Sequence, residues 1–167
     1  MNRLTRIGIA AALAAVSALA ISQAPPAAGP GGPPNPEAQA KSAIETRQGL
    51  FKVIANQNGP IGAMQRGTRD FDAAVVARNA ARIQTLSEII PELFTADTRA
   101  IKTFKTGALD GIWNSQADFK AKADGLTKAA AGLVEAAKGG DKATTLKAAA
   151  EVGKACGACH DNFRAKP

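Results

Sequence analysis

The sequence predicts an all-α fold, an antiparallel four-helix bundle, on three observations. Apolar residues recur at seven-residue steps: Val76, Ile83 and Ile90 in one stretch, and Ile112, Phe119, Leu126 and Leu133 in another. That step is two helical turns, so each set keeps one face turned toward a neighbour. Pro and Gly break the chain at 58–60, 91 and 139–140, leaving segments of about twenty residues. No stretch alternates apolar and polar residues as a half-buried strand would.

The first 24 residues stand apart from the bundle. Arg3 and Arg6 make a basic n-region, and Ile7 to Ile21 is an apolar h-region rich in Ala and Leu. Ala18-Leu19-Ala20 offers an A-x-A cleavage site, with cleavage anywhere between 20 and 28, so residues 1–24 read as a secretory signal peptide. The apolar run is short for a transmembrane helix; an uncleaved anchor is the alternative. Residues 25–36, dominated by Pro, Ala and Gly, read as a disordered linker, and residues 37–167 as the bundle.

Helix A starts at Asn35-Pro36-Glu37, which supplies a capping side chain, a Pro at the first helical position and an acid in the first turn. It is expected to run to about Gln57, with Ile44, Arg47, Phe51 and Ile54 inward, and to end at Asn58-Gly59-Pro60. Met64 then falls in a loop. Helix B is expected from about Thr68 to Ile90, stopped by Pro91, with Leu86 and Leu93 as a companion row. A connection without a period fills about 95–111. Helix C starts near Asp110 and runs to Lys138, with Ala123, Ala130 and Ala137 as its second row. Gly139-Gly140 is a hinge, and Asp141 caps helix D. That helix carries Leu146, Gly153 and His160 on one row and Ala149, Cys156 and Phe163 on the other.

Cys156-Gly157-Ala158-Cys159-His160 holds both cysteines and the only histidine. C-x-x-C-H is the attachment signature of haem c: each thiol adds to one vinyl group, and the adjacent imidazole is the axial iron ligand. One covalent haem c, bound by Cys156 and Cys159 with His160 on the iron, is therefore expected. A thioredoxin-like C-x-x-C would open a helix after a strand, whereas this one closes an Ala-rich helical run. Zinc would want four ligands, and no further Cys or His exists. A disulfide between residues so close in sequence closes too short a loop to stabilise much. Export agrees with covalent haem, and the periplasm is the expected location.

The formal charge is +7, from 21 basic and 14 acidic side chains. Without Arg3 and Arg6 it is +5, and two haem propionates would leave about +3. The basic residues are scattered along the helices, so nothing suggests nucleic acid; the excess is weak support for an acidic redox partner.

Three residues bear on the haem surroundings. Gly153, one turn before Cys156, removes a side chain where a flat macrocycle would approach the backbone, or simply permits close helix packing. Arg47 lies on an apolar stripe, where an unpaired guanidinium is costly; a propionate would supply its anion, unless the charge reaches the surface. Phe51, one turn from Arg47, would point at the open side of the iron, where it fills space without ligating. The sixth position has no second His to fill it. Met64 or a lysine are the remaining candidates, and nothing after Cys159-His160 supplies a methionine.

Over about 37–167 the chain resembles the cytochromes c′, the high-spin class II c-type cytochromes. The resemblance rests on Cys156-x-x-Cys159-His160-Asp161-x-Phe163-Arg164, on Arg47-Gln48-Gly49-Leu50-Phe51, and on Ile112-Trp113. It implies five-coordinate iron with His160 proximal, Arg47 on a propionate and Phe51 as distal blocker, Leu50 taking that place if the register slips by one. It also implies that Arg164 lies on the proximal side, and that the protein is a homodimer through helices A and B. Related low-spin cytochromes carry a Met on helix A, which this helix A lacks.

The expected function is a non-enzymatic haem protein that binds nitric oxide and carbon monoxide, transfers electrons to an unknown periplasmic redox partner, or both. The alternative is an ordinary six-coordinate low-spin electron-transfer cytochrome. A peroxidase would need a distal acid–base pair, usually with His, and none is available.

Overall fold

The structure is a computed structural model that describes residues 35–166. The predicted signal peptide at 1–24, and all but the last two residues of the predicted linker, lie outside the described residues. Four long helices make the bundle: α1 (Pro36–Gln65), α2 (Ala73–Glu88), α5 (Gln116–Lys138) and α6 (Lys142–Phe163). Two single turns, α3 (Ile90–Leu93) and α4 (Gly111–Asn114), flank the long connection. α1 packs on α2, α2 on α5, α5 on α6 and α6 on α1, which closes the ring. The short links at 66–72 and 139–141 make the joined helices antiparallel neighbours. Among the described residues no helix is long and apolar enough to cross a membrane.

The seven-residue rows lie where the sequence puts them. Val76, Ile83 and Ile90 are buried, as are Ile112, Phe119, Leu126 and Leu133 with Ala123, Ala130 and Ala137 beside them. Together they form one continuous core. Leu86 and Leu93 are only half-buried.

The first helix departs from expectation. Asn58-Gly59-Pro60 does not end it: α1 runs for 30 residues with Pro60 inside. A proline in a helix removes one hydrogen bond and crowds the carbonyl four residues earlier. Here the far side of the break is held from outside. Asn79 of α2, only 5% exposed, donates its Nδ2 to the Gln57 carbonyl at 3.0 Å, and Arg82 donates to Gln57 Oε1 at 3.1 Å. Beyond the proline, Ile61 and Met64 enter the core. Met64 is thus a helical core residue, 2% exposed, and not part of a loop. The helix ends past Gln65, where Gly67 takes the left-handed φ of 72° that favours glycine. Asn79→Leu removes that donor from the part-buried Gln57 carbonyl and is expected to destabilise the fold by about 1 kcal/mol in a denaturant titration; an unchanged midpoint would show that the contact is incidental.

Boundaries shift elsewhere for local reasons. α2 begins at Ala73 because the Asp72 carboxylate accepts from the Val75 amide at 3.0 Å. It stops at Glu88, and Pro91 sits in the first turn of a new helix, α3. Ser115 separates α4 from α5, so the expected third helix comes in two pieces. The last helix is capped as expected, Asp141 accepting from the Thr144 amide at 2.8 Å. These bonds to Thr144 hold the Asp141 carboxyl below its ordinary range.

Candidate functional site

The last helix carries the cysteines and the histidine, and it is fixed at both ends. At its start Thr145 is fully buried, its hydroxyl donating to the Asp141 carbonyl at 2.7 Å. At its end the Leu109 amide donates to the Phe163 carbonyl at 3.0 Å, and the Ala165 amide to the Gly107 carbonyl at 2.8 Å. A short antiparallel bridge between Ala108 and Arg164 thus pins the chain just after the motif. The Phe163 ring meets Phe119 edge-on, with centroids 5.3 Å apart.

The inward row of α6 is Thr145, Ala149 and Val152, continued by the partly buried Cys156 and Cys159 and closed by Phe163. Gly153 is not on it. It is exposed, a Cβ there would meet nothing within 4 Å, and it does not line the cleft described next. The three- and four-residue steps of the buried row carry it through Val152 instead.

A cleft of about 440 Å³ opens between α1, α5 and α6. Cys156, Cys159 and His160 line it from α6; Arg47, Phe51 and Lys52 from α1; Phe119, Lys122 and Leu126 from α5. The two cysteines form no disulfide with each other, and burial pushes both thiols upward in pKa. His160 goes the other way. Burial, with the Arg164 guanidinium adding to it, holds the imidazole below its ordinary range and leaves it neutral, with a lone pair to donate. Arg164 also lines the cleft and sits at the exposed end of α6.

Arg47 is 3% exposed, so its charge does not reach the surface. Its Nε donates to the Leu93 carbonyl at 2.7 Å, and its two terminal nitrogens to Thr98 Oγ1 at 2.9 Å and to the Ala96 carbonyl at 2.6 Å. The guanidinium lies over the Phe94 ring, 4.6 Å from its centroid, and 5.5 Å from that of Trp113. Burial lowers its pKa, partly offset by the Asp97 carboxylate. The charge is therefore partnered without any anion bound. Two of its five N–H groups remain after these three bonds.

Phe51 lines the cleft. It is 38% exposed, and the buried place on that stripe belongs to Leu50. Both residues fit between Arg47 and Ile54 at helical spacing: Leu50 turns into the core, Phe51 to the cleft. Of the two, Phe51 alone lines the cleft. Sequence reasoning missed Phe94 and Thr98 altogether. Phe94 follows the apolar row of helix B by one residue, which was its only signal; the carbonyls that Arg47 uses leave none.

The cleft suits a flat, apolar, dianionic group. Apolar rings and aliphatic side chains cover most of it, two thiols and an imidazole share one wall, and the charged groups in its lining are all cations: Arg47, Lys52, Lys122 and Arg164. Among the described residues no three His, Cys, Asp or Glu side chains come together as a metal-binding group. A helical bundle with this motif in such a cleft is a c-type haem protein. The family model for Cytochrome C′ matches residues 42–164, and the chain belongs to that family. It is 42% identical over 124 residues to cytochrome c′ of Rubrivivax gelatinosus, an alignment spanning 74% of this chain and 95% of that one. The structure of cytochrome c prime from Shewanella frigidimarina superposes with a TM-score of 0.69 at 38% identity, covering 76% of this chain and 97% of that one. A nitric oxide complex of a variant of cytochrome c prime from Alcaligenes xylosoxidans superposes at 0.66 with 29% identity, covering 76% and 97%. The protein accordingly takes one covalent haem c.

Proposed function

We propose that the chain is a periplasmic haem protein whose iron is held by the protein on one side only and takes nitric oxide or carbon monoxide on the other, with electron transfer as a second use. One observation carries this reading: His160 is the only imidazole in the cleft, and Met64, the one sulfur ligand candidate, is packed in the core away from it. The bound haem supplies an iron that accepts a diatomic gas or an electron. Cys156 and Cys159 would hold the macrocycle covalently, and the neutral imidazole of His160 would bind the iron. Arg47 offers its two remaining N–H groups to a propionate while its other three keep it fixed. Phe51 crowds the gas-binding face and offers no hydrogen-bond donor, which favours ligands that bind without one. Arg164 raises the positive potential beside His160. The solved nitric oxide complex of a relative supports the ligand class.

Export rests on the basic and apolar segments of residues 1–24. Pairing of two copies through α1 and α2 is supported by Val53 and Ile89, large apolar side chains exposed on or beside those helices. A second reading has its own observation: Lys52 and Lys122 line the cleft, and an amine from either could fill the sixth position of a low-spin electron carrier. Absorption spectra of the purified protein, oxidised, reduced, and reduced with carbon monoxide, separate the two. A broad reduced Soret band without sharp α and β peaks, shifting on carbon monoxide, is expected. Sharp α and β peaks in the reduced protein would sink the five-coordinate reading.

A further inference from the structure

Phe94 is a tightly packed side chain in the cleft. It lies at the end of α3 and is 5% exposed. Its ring touches Phe119 edge-on at 4.9 Å and Trp113 at 6.1 Å, and Arg47 covers it at 4.6 Å. The backbone around it is held too. Arg47 binds the Leu93 and Ala96 carbonyls and the Thr98 hydroxyl, and Trp113 Nε1 donates to the same Ala96 carbonyl at 3.2 Å. Arg99 grips Asp97 at 2.7 Å and Asn114 at 2.7 Å, closing the turn from outside. Phe51 is the opposite case. It is exposed along one side, and Phe94, at 6.3 Å, is its aromatic neighbour.

A ring that leans on a more tightly packed one takes its position from it. We propose that Phe94, locked by Arg47 and Trp113, is a positioning residue that sets where the Phe51 ring stands and so how much room a gas ligand finds beneath it. This rests on the reading of Phe51 given above and adds the residue that controls it. Phe94 acts through Phe51 and not on the ligand.

The test is a double-mutant cycle on the full haem-loaded protein. Phe94→Leu keeps most of the apolar volume while removing the ring; Phe94→Met serves the same purpose if the leucine variant does not fold. In the parent protein Phe94→Leu is expected to raise the carbon monoxide association rate about threefold to tenfold, the weight of one aromatic pair. In a Phe51→Ala background it is expected to change nothing. An equal change in both backgrounds, or none in either, overturns the proposal. A crystal structure of the Phe94→Leu protein gives a readout independent of gas binding. The Phe51 ring is expected to move into the vacated space, and an unmoved ring overturns the proposal. If no form binds carbon monoxide, the gas-binding reading fails, and the ring position still decides this one.

Discussion

Phe51→Ala is expected to raise the affinity of the reduced protein for carbon monoxide by about tenfold to a hundredfold, the range over which a few apolar groups tune a pocket. The ring lines the cleft at its α1 wall and is partly exposed, so its removal leaves the surrounding core in place. Leu50, the buried neighbour, keeps α1 anchored. The spectrum of the nitric oxide complex should change as well, because the side chain at position 51 would limit the room left for a bound gas. A carbon monoxide titration and the two nitric oxide spectra check this. If both match the parent protein, Phe51 does not stand over the iron.

The second large effect concerns stability. With Cys156 and Cys159 both replaced by Ser, the haem has no covalent hold, and the purified chain is expected to be largely haem-free. A cleft of about 440 Å³ lined by Ile54, Phe94, Ile112, Phe119, Leu126 and Phe163 then has no partner atoms across it. Deleting a single large core side chain costs about 2–5 kcal/mol, and this void exceeds any one side chain. Domains of this size have only about 5–15 kcal/mol in total. The double variant should therefore lose most of its cooperative melting transition, as followed by circular dichroism. A transition near the parent's would mean that the helices collapse on one another and that the core holds without its prosthetic group.

The rows running through α2 into α3 and through α4 into α5 were legible because a seven-residue step taken two or three times in succession has no other cheap explanation. The cysteines and histidine were legible because five adjacent residues carry the chemistry by themselves. Pro60 misled, since a proline normally stops a helix, and the donor that shields the far side, Asn79, comes from another helix 22 residues away. Met64 was misplaced with it. Gly153 was read from one row when the buried one ran beside it. Leu50 and Phe51 could not be separated by spacing, because steps of three then four and of four then three are both helical. Arg47 was recognised as an inward charge, yet its partners are carbonyls and a hydroxyl of a turn without any period. Contacts made by backbone atoms leave no trace in side-chain pattern.

The bridge between Ala108 and Arg164, and the packing of α6 on both α1 and α5, have a consequence for biogenesis. The ribosome finishes α1 to α5 before it makes the motif, so the inner faces of α1 and α5 wait without their partner. Closing the ring and presenting the two thiols are then one event in time. A chain halted before residue 156 would have most of its helices and nothing to capture haem with, whereas a chain that has reached Arg164 acquires its last wall and its attachment point together. A chain truncated before the motif can therefore be told from a finished one by its failure to hold haem.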